Sequence, residues 1–147
     1  MPLLTSDEAL RTVLQTAHTV AVLGAHPDPG KPAHYVPRYL REHGYRIVPV
    51  NPRYTDQQLF GETPRGKVTD LDEPIDVVDV FRRSENLPAH AEEILAMRPL
   101  PKVVWLQQGI RHAEVARQLA EAGIDVVQDA CMLAVHKRLG LGRAGAG

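Results

Sequence analysis

Five short apolar runs constrain the fold of this chain most: "TVAVLG" (19–24), "YRIVPV" (45–50), "IDVVDVF" (75–81), "VVWL" (103–106) and "DVVQ" (125–128). They are rich in β-branched residues and lack the polar alternation of a strand with one wet face. Runs of this kind are buried on both sides, as strands of a parallel sheet are. Helical spacing fills the intervals. A first helix precedes residue 19, with Thr5 and Glu8 at capping-box spacing and Leu10, Val13, Leu14 and Ala17 recurring behind them. Further helices are predicted over 34–44, 87–97, 111–122 and 130–139. Pro37 is tolerable in the first turn of one, Ser84 or Asn86 lies near the cap of the next, and Gly44 and Gly123 stand at C-terminal stops. Strands alternating with helices require right-handed crossovers, so the expected class is α/β: three layers with a mainly parallel sheet.

Residues 51–74 are the least regular, with Gly61, Pro64 and Gly66 as turn residues and a one-turn helix at "TDLDEP" (69–74). This segment reads as a reduced crossover with a short third strand near Lys67 and Val68. The predicted sheet order is then 3-2-1-4-5-6, with 75–81 as the fourth strand. The order reverses between strands one and four, and open α/β sheets bind ligands in the crevice at such a reversal, beyond the carboxyl ends of the strands. That brings the loop after Gly24 opposite the loop after Phe81.

A length of 147 residues suits one domain, taken as 1–140 with a mobile tail over 141–147. A net charge of −1 argues against general nucleic-acid or membrane-surface binding, which usually shows as a basic excess. The single Cys131 has no internal partner, which fits a reducing cytoplasm. No apolar run approaches the roughly 20 residues that span a bilayer.

The first predicted strand leads into "GAHPDPGKPAHY" (24–35), which looks like a phosphate loop and fits neither common template. A dinucleotide fingerprint needs glycine where His26 stands. A P-loop needs four residues between its glycines and Ser or Thr after the lysine, whereas five separate Gly24 from Gly30 and Pro32 follows Lys31. What remains is close backbone approach at Gly24 and Gly30, a cation at Lys31, and a helix turning free amides towards an anion.

Other strand ends are basic too: "NPRY" (51–54) brings Arg53, and Arg82 and Arg83 follow Phe81. NAD-binding folds place Asp or Glu after the second strand, and a phosphorylated ribose calls for a cation there. Asn51, Pro52 and Arg53 therefore disfavour NAD and leave NADP or coenzyme A, each with a phosphate on its adenosine ribose. Arginine grips such a phosphate with two parallel donors.

Taken together, "VAVLGAHPDPGKPAHYVPRYLREHGYRIVPVNPR" (20–53), "EPIDVVDVFRRSE" (73–85), "VVWLQQGI" (103–110) and "GIDVVQDACMLAVH" (123–136) closely resemble the small stand-alone CoA-binding proteins. These are similar to the amino-terminal domain of the succinyl-CoA synthetase alpha subunit. The resemblance covers roughly 13–139 and implies a Rossmann-like fold that binds coenzyme A or an acyl-CoA. It implies that the loop 24–31 (Gly24, Ala25, His26, Pro29, Gly30, Lys31), with Pro32, wraps the CoA phosphates. Asn51, Pro52 and Arg53 would line the adenosine side, with Arg53 near the ribose phosphate. Val80, Phe81 and Arg82 would flank the crevice, and Trp105, Leu106, Gln107 and Gly109 would lie along the pantetheine arm. Relatives often have a small polar residue at position 26 and serine at position 33, where this chain has His26 and Ala33. The synthetase's phosphorylated histidine lies in a second domain and its nucleotide site in a separate beta subunit, so the resemblance implies binding without acyl-CoA synthesis.

Other residue types carry less. Cys131 is first a small apolar side chain, although it could meet the thiol of a bound CoA. His136 recurs with Leu133, Val135 and Leu139 and reads as structural. His26 and His34 lack a third ligand, so no metal site is expected. Asp76 and Asp79 break the apolar pattern of their strand, where an acid more often caps a neighbouring turn. Trp105 is first a core residue. No Ser-His-Asp, Cys-His or paired-acid constellation is visible. The readings of other classes are an NADP-dependent enzyme and a non-catalytic subunit of a larger acyl-CoA enzyme, and a protein partner remains open.

Overall fold

The computed structural model describes residues 3–144. Five strands, β1 (Thr19–Leu23), β2 (Arg46–Val50), β3 (Val77–Val80), β4 (Val103–Leu106) and β5 (Asp125–Val127), form one all-parallel sheet in the order β2-β1-β3-β4-β5. Five helices cover it: α1 (Asp7–Thr16), α2 (Pro32–Glu42), α3 (Leu87–Leu95), α4 (Ala113–Glu121) and α5 (Met132–Arg138). The result is a Rossmann-like α/β fold, and the order reverses beside β1 as the sequence predicts.

Alternate residues of each strand face two separate cores. Ala21, Val48, Val78, Val104 and Val126 pack against α3 and α4. Val20, Ile47, Val77, Trp105 and Val127 pack against α1, α2 and α5. Both strand faces being covered is why the strands read as continuous apolar runs.

The expected short third strand is reduced to one parallel bridge between Arg65 and Val50, and Val68–Asp70 is a single 3-10 turn. The Arg65 amide donates to Pro49 O at 3.0 Å, and Asn51 N donates to Arg65 O at 2.8 Å. Extending this ladder backwards needs an N–H on residue 49, which proline lacks. Pro49 is tolerated in β2 because its missing donor faces this outer edge.

Two smaller details also differ from the sequence reading. The cap of α1 is Ser6 rather than Thr5: Ser6 Oγ accepts from Ala9 N–H at 3.1 Å, after Leu4 N–H has paired with Val126 O. β3 begins at Val77, because Asp76 turns its carboxylate onto the amides of His18 and Thr19 at 2.8 and 2.9 Å. That is the turn-capping role expected of an acid there.

His136 is wholly buried. Its Nε2 faces Gly142 O at 3.0 Å and its Nδ1 faces the Tyr39 hydroxyl at 2.7 Å. A carbonyl only accepts, so Nε2 carries the proton and Nδ1 accepts from Tyr39. Residues 141–144 lie against the body through this bond and through Ala144 N to His43 O, while 145–147 of the expected tail lie outside the described residues. Among the described residues no helix is long and apolar enough to cross a membrane.

Candidate functional site

The site begins where β1 ends. Gly24 has φ +96°, a left-handed conformation that L side chains rarely adopt. Its amide still bonds Val50 O at 2.8 Å, so the sheet carries the chain directly into the loop. Opposite, Phe81 N bonds Leu23 O at 2.9 Å, and the two strand ends close against each other at the reversal.

The loop is held by its own bonds. His26 N–H reaches Ala33 O, Asp28 N–H reaches His26 Nδ1, Gly30 N–H reaches Asp28 Oδ1, and Lys31 N–H reaches Asp28 O, at 2.9 to 3.3 Å. Pro27, Pro29 and Pro32 have no amide hydrogen to give. The loop thus commits most of its donors internally, unlike a glycine-rich phosphate cradle. An anion here must be met chiefly by side chains and by the Ala33 amide, because Pro32 has no amide hydrogen and the His34 and Tyr35 amides bond Lys31 O.

His26 Nδ1 accepts from Asp28, so in the neutral ring Nε2 holds the proton and donates to Tyr54 Oη at 3.1 Å. The Tyr54 hydroxyl hydrogen is then free for a ligand. Asn51 is buried and joins two loops: its Nδ2 donates to Ala25 O at 2.9 Å, and its Oδ1 caps the turn Pro52–Tyr54 by accepting from Arg53 N.

These loops surround an open cavity of about 1100 Å³ beyond the carboxyl ends of β1, β3 and β4. Of the residues singled out in the sequence, Gly24, His26, Lys31, Pro32 and Asn51 line it on one side, and Arg53, Phe81, Arg82, Gln107 and Gly109 complete it. Ala25 is buried, and Pro29, Gly30 and Pro52 are exposed outside this lining. Val80, Trp105 and Leu106 are core residues, and the Trp105 indole donates to Ala130 O at 2.8 Å. Trp105 packs into the core on the sheet face under α5, and Gln107, two residues on, lines the cavity.

Sequence reasoning overlooked Tyr54, Tyr35, Gln108 and Ile110 as cavity residues and treated Cys131 mainly as core. Tyr35 is the one with a signal, as an aromatic on the first turn of a helix that follows a phosphate-type loop. It is 38% exposed at the cavity rim.

Lys31, Arg53, Arg82 and Arg83 all line the cavity, with Glu85 as the acid among them. Among the described residues none of these four cations forms an ion pair, whereas Arg46, Arg65 and Arg117 do. Arg82 is the most constrained: its Nε is buried without a hydrogen-bond partner, and burial pulls its guanidinium below the ordinary range. A half-buried guanidinium with no ion-pair partner has donors to offer an anion.

Beneath the cavity, Gln107 Nε2 donates to Asp79 Oδ1 at 2.6 Å, and Asp79 Oδ2 is buried without a partner. Burial drives the Asp79 carboxyl up to about 8, against the opposing bond from Gln107. At neutral pH this acid is mainly uncharged.

Residues 18–137 match the family described as CoA binding domain. The chain belongs to the CoA-binding domain family. Among related sequences, this CoA-binding chain is 37% identical over 131 residues to the uncharacterized protein YneT of Bacillus subtilis, covering 89% of this chain and 94% of that protein. A solved structure from Thermus thermophilus is 56% identical with a TM-score of 0.87, covering 92% and 99% of the two chains. A dinucleotide-forming acetyl-coenzyme A synthetase of Ca. Korarchaeum cryptofilum has a TM-score of 0.66 at 22% identity and shares the fold. The CoA-binding chain aligns over 82% of its own length there and over 27% of the synthetase.

Proposed function

We propose that this protein binds coenzyme A or an acyl-CoA in the cavity at the strand ends and performs no reaction of its own. The observation that carries the reading is the ring of four unpaired cations, with the orphan Nε of Arg82 among them, around a cavity of about 1100 Å³ at the sheet reversal. In a chain of this family, those cations suit a ligand carrying a pyrophosphate and a ribose phosphate. Lys31, Arg82 and the Ala33 amide meet the pyrophosphate. Arg53 meets the ribose phosphate, and the pantetheine arm runs past Gln107 and Gly109. Steps of acyl transfer are left to other proteins, and the site works in the cytoplasm as a carrier or sensor of the cofactor.

Arg53 also suits the 2′-phosphate of NADP, which makes an NADP-dependent enzyme the second reading. His26 in place of the close-approach glycine disfavours it. Mass spectrometry of ligand released from the purified protein tests the choice: CoA or an acyl-CoA supports the reading, and NADP as the released ligand overturns it.

A further inference from the structure

Asp79 and Gln107 form a pair that the fold itself does not need. In β3 and β4 the residues sharing this sheet face are Val77, Val103 and Trp105, all apolar core. Asp79 follows Val77 on this face, is paired with Val22 on one side and Trp105 on the other, and is wholly buried. Its Oδ2 has no partner, and removing a carboxyl group from water without satisfying it costs stability. A residue that breaks the local rule at such a cost, one side chain away from a cavity, is a mark of function.

What Asp79 does is visible in Gln107. Gln107 lines the cavity, and its Nε2 donates to Asp79 Oδ1 at 2.6 Å. Gln107 Oε1 bonds to no described residue and is not among the buried unpartnered atoms. With Nε2 bonded to Asp79 Oδ1, Oε1 is the amide atom left over for a group in the cavity. Burial, and after it the Gln107 bond, are the influences on the Asp79 proton.

We propose that Asp79 is a positioning residue that fixes the Gln107 amide with Oε1 towards the cavity, making the site select a ligand whose arm carries a hydrogen-bond donor there. The inference rests on the CoA reading and deepens it. The donor is either an amide N–H of the pantetheine arm or the terminal thiol S–H, and the adenosine half of the ligand is not involved.

The test is calorimetry on wild type, Asp79→Leu, Gln107→Leu and the double variant, with CoA, desulfo-CoA and adenosine 3′,5′-bisphosphate. Each single variant is expected to weaken CoA by about five- to tenfold, roughly one neutral hydrogen bond, and to leave the bisphosphate within about twofold of wild type. The double variant should lose no more than either single one, because the two residues act as a unit. Asp79→Asn keeps an acceptor for Gln107 and should bind CoA as wild type does. If the loss persists with desulfo-CoA, the donor is an arm amide; if it vanishes, the donor is the thiol. Equal losses for CoA and the bisphosphate, additive losses in the double variant, or an Asp79→Asn variant as weak as Asp79→Leu would each overturn the positioning role. If Asp79→Leu does not fold, Asp79→Asn and Gln107→Leu decide it. Should wild type bind the bisphosphate but gain nothing from the arm, this inference fails while the cavity reading stands; binding of neither ligand removes both.

Discussion

A Cβ atom built on Gly24 would stand 2.5 Å from the Phe81 carbonyl oxygen. The two strand ends at the sheet reversal therefore touch backbone to backbone, and only glycine fits between them. With φ at +96° the position is also strained for any L side chain. Gly24→Ala is expected to lose about 2 to 4 kcal/mol of stability, read as a midpoint shift in denaturant unfolding, and to weaken CoA as the crevice is pushed open. An alanine variant with unchanged midpoint would mean that the two loops separate freely.

Arg53 should discriminate between ligands that differ by one phosphate. Arg53→Ala is expected to cost about 1.5 to 3 kcal/mol of CoA affinity, the range for a charge-assisted contact, and to leave dephospho-CoA nearly unaffected. Equal losses for both ligands would take Arg53 away from the ribose phosphate.

Arg82 should show a stability gain set against a binding loss. Its Nε is buried and unpaired and its charge is disfavoured by burial. Arg82→Met keeps the apolar stem and removes the unsatisfied donor, so unfolding stability should hold or rise while CoA binding falls, with a shallower dependence on salt. A variant that bound CoA as tightly as wild type would place the pyrophosphate elsewhere.

The pH dependence of stability should carry the signature of Asp79. Its carboxyl is raised from 3.8 to about 8 by folding, so between those values the native state holds a proton that the unfolded chain has lost. Stability therefore falls as pH rises through that window and levels off above it. Asp79→Asn, uncharged in both states, is expected to be more stable than wild type at pH 7 and to flatten the slope between about pH 5 and 8. Parallel profiles for the two proteins would mean that Asp79 is ionised in the fold.

The strands were legible because helices cover both sheet faces, so burial alone set their composition. The third strand was not legible as a bridge, because the limit on it comes from Pro49 in another strand rather than from residues 64–68. Within the candidate site, Lys31, Arg53 and Arg82 could be read from position, since each lies within three residues of a strand's end or a helix's start. The family resemblance puts Trp105 beside Gln107 along the ligand arm, whereas strand alternation sets the two at different depths on the same sheet face. Asp79 left a trace as the acid that breaks an apolar strand. Its partner, 28 residues away, is a cross-strand neighbour that no local pattern displays. Tyr54 and Cys131 reach the cavity by loop geometry, which spacing does not encode.

Titration calorimetry of the purified chain with CoA, dephospho-CoA and NADP decides which phosphorylated carrier the cavity holds. The expected result is one CoA per chain, dephospho-CoA weaker by about tenfold or more, in proportion to one lost charge-assisted contact, and no measurable heat with NADP. Tight binding of NADP with no binding of CoA would contradict the account.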